Sequence, residues 1–309
     1  MNLVGHKQQW EFLKQAFNSE HLGQAFIFSG EEKIGKKKLA FEFVKMIFCE
    51  NLKNRPCQVC QNCVLVEKNS HPDFIFVAPQ KRTIQIDQVR DLQKSLSLTP
   101  SLSLTKVVII NDAHCLNVQA QNCLLKTLEE PKNKAIFILI SSMSDILLPT
   151  IKSRCETLKF YPLKEEEIKN TIKIPQELLG YSLGRPGVAL DFLANQNNFL
   201  AFQDYLNTAK NFLTGSLLDR LLFIKNLYSK TKDEETKEAD KKREDCFLLL
   251  ESMMWHLRKS LWQRVDDKTK ENALLKTKNA IELTQEAISL LQTTNVSPRL
   301  LLENLILSF

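Results

Sequence analysis

The first half of the chain alternates short apolar runs with segments in which apolar residues recur at helical spacing. The apolar runs are residues 25–29 (AFIFS), 73–78 (DFIFVA), 106–111 (KVVIIN) and 135–141 (AIFILIS). Runs that are apolar at almost every position are typical of strands covered on both faces of a parallel sheet. Helical spacing appears between them, for example in residues 86–97 and 120–129. The alternation predicts an α/β fold in which helices cover both faces of a parallel sheet.

The second half of the chain has a different pattern, because the strand signals end at Phe160 and helical spacing takes over. We therefore expect an all-α region after Tyr161 and Pro162. One stretch within it, residues 229–243 (SKTKDEETKEADKKR), contains no large apolar residue. Its acidic and basic side chains are interleaved, which is typical of a solvated loop or of a helix extension at the surface.

Composition limits the class of protein further. The chain has 309 residues and a formal net charge of +6, which suits two or three globular domains and is too small an excess to indicate a nucleic-acid partner by itself. No apolar run approaches the roughly 20 residues that a membrane helix needs. Residues 1–17 lack the pattern of a signal peptide. We therefore expect a cytoplasmic protein that has no membrane partner.

A glycine-rich stretch lies between the first apolar run and the helical pattern that follows it. Gly30, Gly35 and Lys36 have the G-x4-G-K spacing of a phosphate-binding loop in its required strand-to-helix context. Glycines let the backbone approach phosphate groups closely, and free N–H groups at a helix start attract anions. Lys36 would reach the terminal phosphates of a nucleotide. A glycine turn that only caps the helix is the alternative.

The residues that would hold Mg²⁺ are altered at two separate places. Lys37 occupies the position of the Ser or Thr that binds the ion in such loops, and an ammonium group repels a cation. The strand that ends at Ile110 is followed by Asn111 and Asp112 instead of a metal-binding Asp and a water-activating Glu. We therefore expect a relative of ATPases that does not hydrolyse ATP, and we do not expect ATP binding to be retained.

Four of the eight cysteines lie within one short stretch. Cys49, Cys57, Cys60 and Cys63 include two C-x2-C steps, a spacing that suits tetrahedral Zn²⁺ bound by four thiolates. Four protein ligands leave no open coordination position, so the metal of this zinc module at residues 49–63 would be structural. Reduced thiols in a loop and a redox disulfide are the alternatives.

One arginine stands out after the last apolar run. Arg154 lies between Ser153 and Cys155, near the edge of the predicted α/β region. An exposed arginine at such an edge could reach the γ-phosphate held by a neighbouring subunit, as arginine fingers supplied in trans do. An ordinary surface arginine is the alternative interpretation.

Five stretches of the sequence, taken together, resemble those of a known family. They are residues 23–30 followed by Gly35 and Lys36, the four cysteines followed by residues 71–73 (HPD), and residues 124–131 (LLKTLEEP), 149–155 (PTIKSRC) and 297–305 (SPRLLLENL). Together they resemble the delta-prime family of subunits of the bacterial DNA polymerase III clamp loader. The resemblance implies an AAA+ fold in three parts: a RecA-like domain with the zinc module at 1–162, a small helical lid at 163–205, and a helical collar for oligomerisation at 206–309.

The resemblance also implies a role. Subunits of this family are stators of a hetero-pentameric ring with motor subunits and a delta subunit, which opens the sliding clamp and places it on primed DNA. In that family the Ser-Arg-Cys arginine, which matches Arg154 next to Ser153, acts on ATP bound by the adjacent motor subunit. Lys37 and Asn111 fit this family, and Gly187 stands where motor subunits carry a lid arginine.

Two other functions remain alternatives. The chain could be an ATP-hydrolysing motor subunit of the same clamp-loader family, which Lys37 and Asn111 argue against. It could also be a separate zinc-bearing DNA-binding protein, which the mild charge and the lack of a basic, aromatic-rich stripe disfavour. We expect a component of the DNA polymerase III holoenzyme that has no ATPase activity of its own.

Overall fold

A sheet of five parallel strands organises the N-terminal half of the protein. The computed structural model describes residues 3–19, 22–80, 82–129, 134–228, 237–264 and 271–307. The strands are β1 (Ala25–Ser29), β2 (Phe74–Val77), β3 (Lys106–Ile110), β4 (Ala135–Ser141) and β5 (Glu156–Lys159), in the spatial order β2-β3-β4-β1-β5. Every pairing is parallel, and Ile27 of β1 lies between Leu139 and Thr157. The predicted parallel α/β fold is therefore confirmed.

The sequence does not predict β5, because its residues (ETLK) lack an apolar run. Three of its four residues are exposed, and it pairs only with β1 at one edge of the sheet. An edge strand has solvent on one side, so its sequence is free to be polar.

The chain divides into two compact units, Met1–Leu190 and Asp191–Phe309. The helices, in chain order, are α1 (Lys7–Asn18), α2 (Lys36–Phe48), α3 (Gln61–Glu67), α4 (Ile86–Ser97), α5 (Val118–Glu129), α6 (Pro149–Lys152), α7 (Glu165–Lys169), α8 (Gln176–Ser182), α9 (Pro186–Ala194), α10 (Gln196–Thr214), α11 (Leu217–Tyr228), α12 (Lys237–Arg264), α13 (Glu271–Thr293) and α14 (Pro298–Leu307). The expected helical C-terminal region is confirmed, whereas the three-part division at 162 and 205 stays a prediction.

Two apolar clusters cover the two faces of the sheet. Phe26 and Phe28 of β1 pack with Phe43 of α2 on one face, whereas Ile27 packs with Leu92 of α4 on the other. Alternate side chains of a strand point to opposite faces, so a strand that is apolar at every position joins both clusters. Burying each of these side chains stabilises the fold by about 1.5–3 kcal/mol.

The C-terminal unit has a separate helical core. Leu249, Leu250 and Met253 of α12 are buried among residues of α10, α13 and α14. Tyr205 of α10 donates its hydroxyl to Asp245 of α12 at 2.6 Å. Residues 237–243 of the charged stretch form the start of α12, and the rest of that stretch lies outside the described residues. Within the described part of the chain, no helix is both long enough and apolar enough to span a membrane.

A buried carboxylate anchors the loop between α4 and β3. Asp73, fully buried at the start of β2, accepts hydrogen bonds from the backbone N–H groups of Ser101, Leu102 and Ser103 at 2.7–2.9 Å and from the Ser103 hydroxyl at 2.9 Å. Burial alone would raise the pKa of the Asp73 carboxyl, but these hydrogen bonds outweigh it and hold the pKa below its usual range. The loop therefore depends on a charged side chain that is distant in sequence.

We expect Asp73→Ala to lower the free energy of unfolding by about 2–3 kcal/mol, because several hydrogen bonds to a charged acceptor are lost. The measurement is urea unfolding followed by circular dichroism. Asp91→Ala is the matched control, because Asp91 is exposed and pairs only at the surface with Lys94; we expect a change within about 0.5 kcal/mol.

The stabilisation by Asp73 should also depend on pH. The pKa of Asp73 is lower in the folded chain than in the unfolded chain. Its contribution to the free energy of unfolding is therefore complete above the unfolded pKa of about 4 and is lost as the pH falls further. The stability gap between wild type and Asp73→Ala should shrink below that pH. A gap that is constant down to pH 3 would contradict the proposed anchor.

Candidate functional site

The phosphate-loop residues lie where the sequence predicts, between β1 and the start of α2. Gly35, the residue before α2, has a φ of 111°, in the region that favours glycine. Gly30 opens the loop directly after β1, and its N–H donates to the Ser141 carbonyl oxygen at the end of β4. The loop backbone is therefore tied to the sheet edge and turns sharply into the helix.

Lys36 is the buried cation of the loop. Its ammonium donates to the carbonyl oxygens of Gly30 and Glu31, and only 5% of the residue is exposed. Burial lowers the pKa of the Lys36 side chain to about 8, a shift that the charges of Glu32 and Asp112 oppose. The residue that would meet a terminal phosphate is thus satisfied by the carbonyl groups of its own loop.

Lys37 places its ammonium over aromatic rings. Its Nζ lies 4.8 Å from the ring centroid of Phe76 and 5.9 Å from that of Phe41, within the range of cation–π attraction. The position that holds Mg²⁺ in intact loops therefore offers no oxygen ligand. Lys37 instead places a positive charge there, and the aromatic rings of Phe76 and Phe41 stabilise that charge.

The strand end at β3 supplies the second altered position. The Asn111 side-chain amide donates to the Asp112 carboxylate at 2.7 Å, so this carboxylate is engaged by its neighbour. Asp112 has a φ of 51° and lines the same cavity as Gly35 and Lys36. The structure thus brings together Gly35, Lys36 and Asp112 at one cavity, and their identity as a nucleotide site that has lost its metal ligands stays a prediction.

The cavity beside the loop measures about 610 Å³, within the range of small-molecule sites. Apolar residues line one part of it, among them Leu3, Val4, Ile172 and Leu190, and lysines at 33, 36, 37 and 38 line another. Its size does not exclude a nucleotide. The expected loss of ATP binding therefore rests on the metal position and stays a prediction.

Gly187, at the start of α9, is packed against the phosphate loop. Its N–H donates to the Lys33 carbonyl oxygen at 2.8 Å, and a Cβ atom at this position would lie 2.7 Å from the same oxygen. No side chain fits there without a backbone shift. Arg185, two residues earlier, is buried and donates its Nε to the Ser182 carbonyl oxygen.

The four cysteines converge between α2 and α3. The Sγ atoms of Cys49, Cys57, Cys60 and Cys63 all lie within 4.8 Å of one another. Backbone N–H groups of Cys57, Cys60 and Cys63 each donate to the sulfur of the preceding member of the set, at 3.3–3.5 Å. Such N–H groups stabilise thiolates, and sulfurs about 2.3 Å from a common ion would be roughly 3.8 Å apart.

The electrostatics of the centre also fit a cation. Hydrogen bonds from the backbone N–H groups of Val59 and Cys60 lower the pKa of the Cys57 thiol to about 6. Burial raises the pKa values of Cys49 and Cys63, and a bound metal reverses such shifts because it deprotonates its thiol ligands. The donor set therefore suits a structural zinc ion held by all four residues.

A polar network that the sequence did not predict joins the four-cysteine segment to α2. Lys45 and Glu42 are both buried and form an ion pair at 2.9 Å. Gln58, between two of the cysteines, donates to Glu42 and accepts from Lys45 at 3.0 Å, and Glu67 of α3 also pairs with Lys45. The only sequence signal was a Glu and a Lys three residues apart on the buried side of a helix.

Arg154 and Ser153 lie just after α6, apart from the residues that line the cavity among those the structure describes. The Arg154 side chain is 37% exposed and forms an ion pair with Glu129 at 2.5 Å. It also donates to the Thr150 carbonyl oxygen at 2.9 Å, whereas the Ser153 hydroxyl donates to the same oxygen. Arg154 is thus an exposed cation on the α/β unit, outside its own phosphate loop.

Comparison with known proteins agrees with the sequence resemblance. The model of the family described as "DNA polymerase III, delta subunit" matches residues 5–164, slightly more than half of the chain. The chain belongs to this family. The matched relatives in this family include proteins named DNA polymerase III subunit delta', so the sequence-based recognition is confirmed.

Bacillus subtilis (strain 168) delta' is 35% identical over 162 residues, which cover 52% of this chain and 49% of the relative. Pseudomonas aeruginosa delta' is 39% identical over 138 residues, covering 42% and 41%. The chain thus spans about half the length of these relatives or less. A solved gamma subunit-related protein of Thermotoga maritima is 20% identical with a TM-score of 0.49, covering 96% of this chain and 97% of that one.

We expect purified protein to contain about one zinc ion per chain by mass spectrometric metal analysis. Cys60→Ser should reduce the zinc content well below one equivalent, because it removes one of four thiolate ligands. Cys123→Ser is the control, since Cys123 is a half-buried thiol outside the cluster. Wild-type protein with far less than one equivalent would contradict the zinc assignment.

We expect calorimetric titration with ATP to show no tight binding by the wild-type chain and no gain from Mg²⁺, because Lys37 and Asn111 supply no metal ligand. Lys37→Thr combined with Asn111→Asp restores a hydroxyl and a carboxylate and should make the affinity depend on Mg²⁺. Lys38→Thr is the control, because it removes a neighbouring charge of the same cavity without creating a metal ligand. Tight, Mg²⁺-dependent binding by the wild type would reverse the interpretation.

Proposed function

We propose that this chain is a non-hydrolysing stator subunit of a DNA polymerase III clamp loader and supplies Arg154 to the ATP site of a neighbouring motor subunit. The observation that carries the proposal is the separation of two features. The chain's own phosphate loop has Lys37 at the metal position, whereas Arg154 is exposed outside that loop.

The wider assignment draws on the family. The relatives are named subunits of DNA polymerase III, which supports a place in a multi-subunit replication assembly in the cytoplasm. In this proposal the chain has an AAA+ fold with lid and collar parts at 163–205 and 206–309. It joins the motor subunits and the delta subunit in a hetero-pentameric ring, acts indirectly on the sliding clamp, and meets primed DNA within that assembly.

The proposed chemistry of Arg154 follows from its guanidinium group. Charge in phosphoryl transfer is spread over the equatorial oxygens of the γ-phosphate, and fixed donors aimed at those oxygens stabilise the transition state. Guanidinium presents five N–H donors in a planar fork that matches phosphate. Because Arg154 does not line its own cavity, the phosphate that it serves must belong to another chain.

The other site residues have structural roles in this proposal. Gly30, Gly35 and Lys36 keep the degenerate phosphate loop in shape, and Asp112 is held by Asn111. The four cysteines would hold the zinc ion, which would cross-link the segment that joins α2 to α3. The Glu42–Lys45–Gln58 network transmits that rigidity to the helix that begins at the phosphate loop.

The cavity of nucleotide size is an observation that favours the alternative, an ATP-hydrolysing motor subunit. That function also requires a metal ligand after Lys36 and an acidic residue at the end of β3, and this chain has Lys37 and Asn111 there. Steady ATP hydrolysis by the purified chain alone would support the alternative and contradict the stator proposal.

The test of the proposal is ATP turnover by the reconstituted loader with clamp and primed DNA. We expect Arg154→Ala to reduce turnover strongly, because an arginine finger contributes about 10³–10⁵ in rate at its own site; intact sites elsewhere in the ring retain part of the total. Arg154→Lys keeps the charge but loses the planar fork, so it should restore little activity.

Arg90→Ala is the matched control, because Arg90 is an exposed arginine of the same unit that forms a surface ion pair with Asp87. Light scattering must show that each variant still assembles. If the assembled Arg154→Ala loader turns over ATP at the wild-type rate, Arg154 has no role in catalysis and the proposal fails.

A further inference from the structure

The guanidinium group of Arg154 is already occupied within its own chain. Nη2 lies 2.5 Å from the Glu129 carboxylate, and Nη1 donates to the Thr150 carbonyl oxygen at 2.9 Å. These terminal nitrogens are the donors with which a guanidinium grips a phosphate. Arg154 therefore has to leave Glu129, at least in part, before it can serve another chain's nucleotide.

The position of Glu129 makes the ion pair with Arg154 easy to open and to form again. Glu129 is the last residue of α5 that the structure describes, and the negative end of a helix dipole disfavours a carboxylate in the last turn. The nearby guanidinium offsets that repulsion. Both side chains are partly exposed, 45% for Glu129 and 37% for Arg154, so water can replace either partner and the pair is weak enough to open.

Hydrogen bonds elsewhere hold the two backbone segments that carry Glu129 and Arg154 close together. Gln121 of α5 is buried; its Oε1 accepts the Leu148 N–H at 2.8 Å, just before α6, and its Nε2 donates to the Leu116 carbonyl oxygen. Gln93 of α4 further holds α5 through Thr127 at 2.8 Å. The helix that carries Glu129 and the segment that carries Arg154 are thus packed together independently of the ion pair.

We propose that Glu129 holds Arg154 in a parked position and competes with the neighbouring subunit's phosphate for it. The inference rests on the function proposed above and adds a positioning residue that sets the resting activity. When clamp and DNA bring the subunits together, the more highly charged phosphate displaces Glu129 from the guanidinium. Without them, the parked pair keeps idle ATP hydrolysis low.

The first arm of the test uses the isolated chain. Nitrogen-15 spectra of the arginine side chains, with Arg154→Lys to assign the signal, report how freely the Arg154 guanidinium rotates. We expect hindered rotation in the wild type and faster rotation in Glu129→Gln. Asp145→Asn is the matched control, because Asp145 is an exposed carboxylate that lies 3.9 Å from Lys152 and should leave the signal unchanged.

The second arm measures ATP turnover by the reconstituted loader with and without clamp and DNA. An exposed ion pair changes a population by only a few-fold, so Glu129→Gln should raise the resting rate about two- to fivefold and leave the stimulated rate near that of the wild type. Added salt should raise the resting rate of the wild type more than that of the variant, because salt screens the pair. Asp145→Asn should behave as wild type.

The outcomes separate the two proposals. A low ATP turnover in Arg154→Ala together with an unchanged or lowered resting rate in Glu129→Gln overturns the proposed role of Glu129. It still supports the role of Arg154 at the neighbouring subunit's ATP site. A wild-type rate in Arg154→Ala overturns both. The double variant should match Arg154→Ala, because Glu129 acts only through Arg154.

Discussion

The parallel order of the sheet is the constraint on which the placement of the candidate residues depends. Because all strands run in one direction, their carboxyl ends meet at a single edge, where α/β proteins bind ligands. Ser29 pairs with Ser141 there, and the Asn111 N–H donates to the Val77 carbonyl oxygen at 2.8 Å. The phosphate loop, the altered acidic position and the cavity beside them therefore follow from strand pairing.

The same edge also holds the two lysines of the phosphate loop. A buried charge without partners is costly, and Lys36 is buried, so its ammonium must be bound whether or not a phosphate is present. The carbonyl oxygens of Gly30 and Glu31 supply that binding. Lys37 has its own contact with Phe76. Both lysines of the loop thus have contacts within the chain itself.

What the sequence predicts well is encoded over short distances. The glycine and lysine spacing, the C-x2-C steps and the apolar strands each depend on neighbours within one element, and the structure places them accordingly. The missed features join residues that are far apart, such as Asp73 with the loop at 101–103, or Glu129 with Arg154. A polar side chain has many potential partners along a chain, and only tertiary packing selects one. The sequence did not predict strand β5 for a related reason, since a strand at an exposed edge needs no apolar pattern.

The tight contact at Gly187 limits which residues this position can accept. Its N–H is bonded to the Lys33 carbonyl oxygen, with no room for even a methyl group. An arginine at this position would need a different docking of α9 on the phosphate loop. A substitution at 187 therefore acts on the phosphate loop through the backbone, whatever the chemistry of the new side chain.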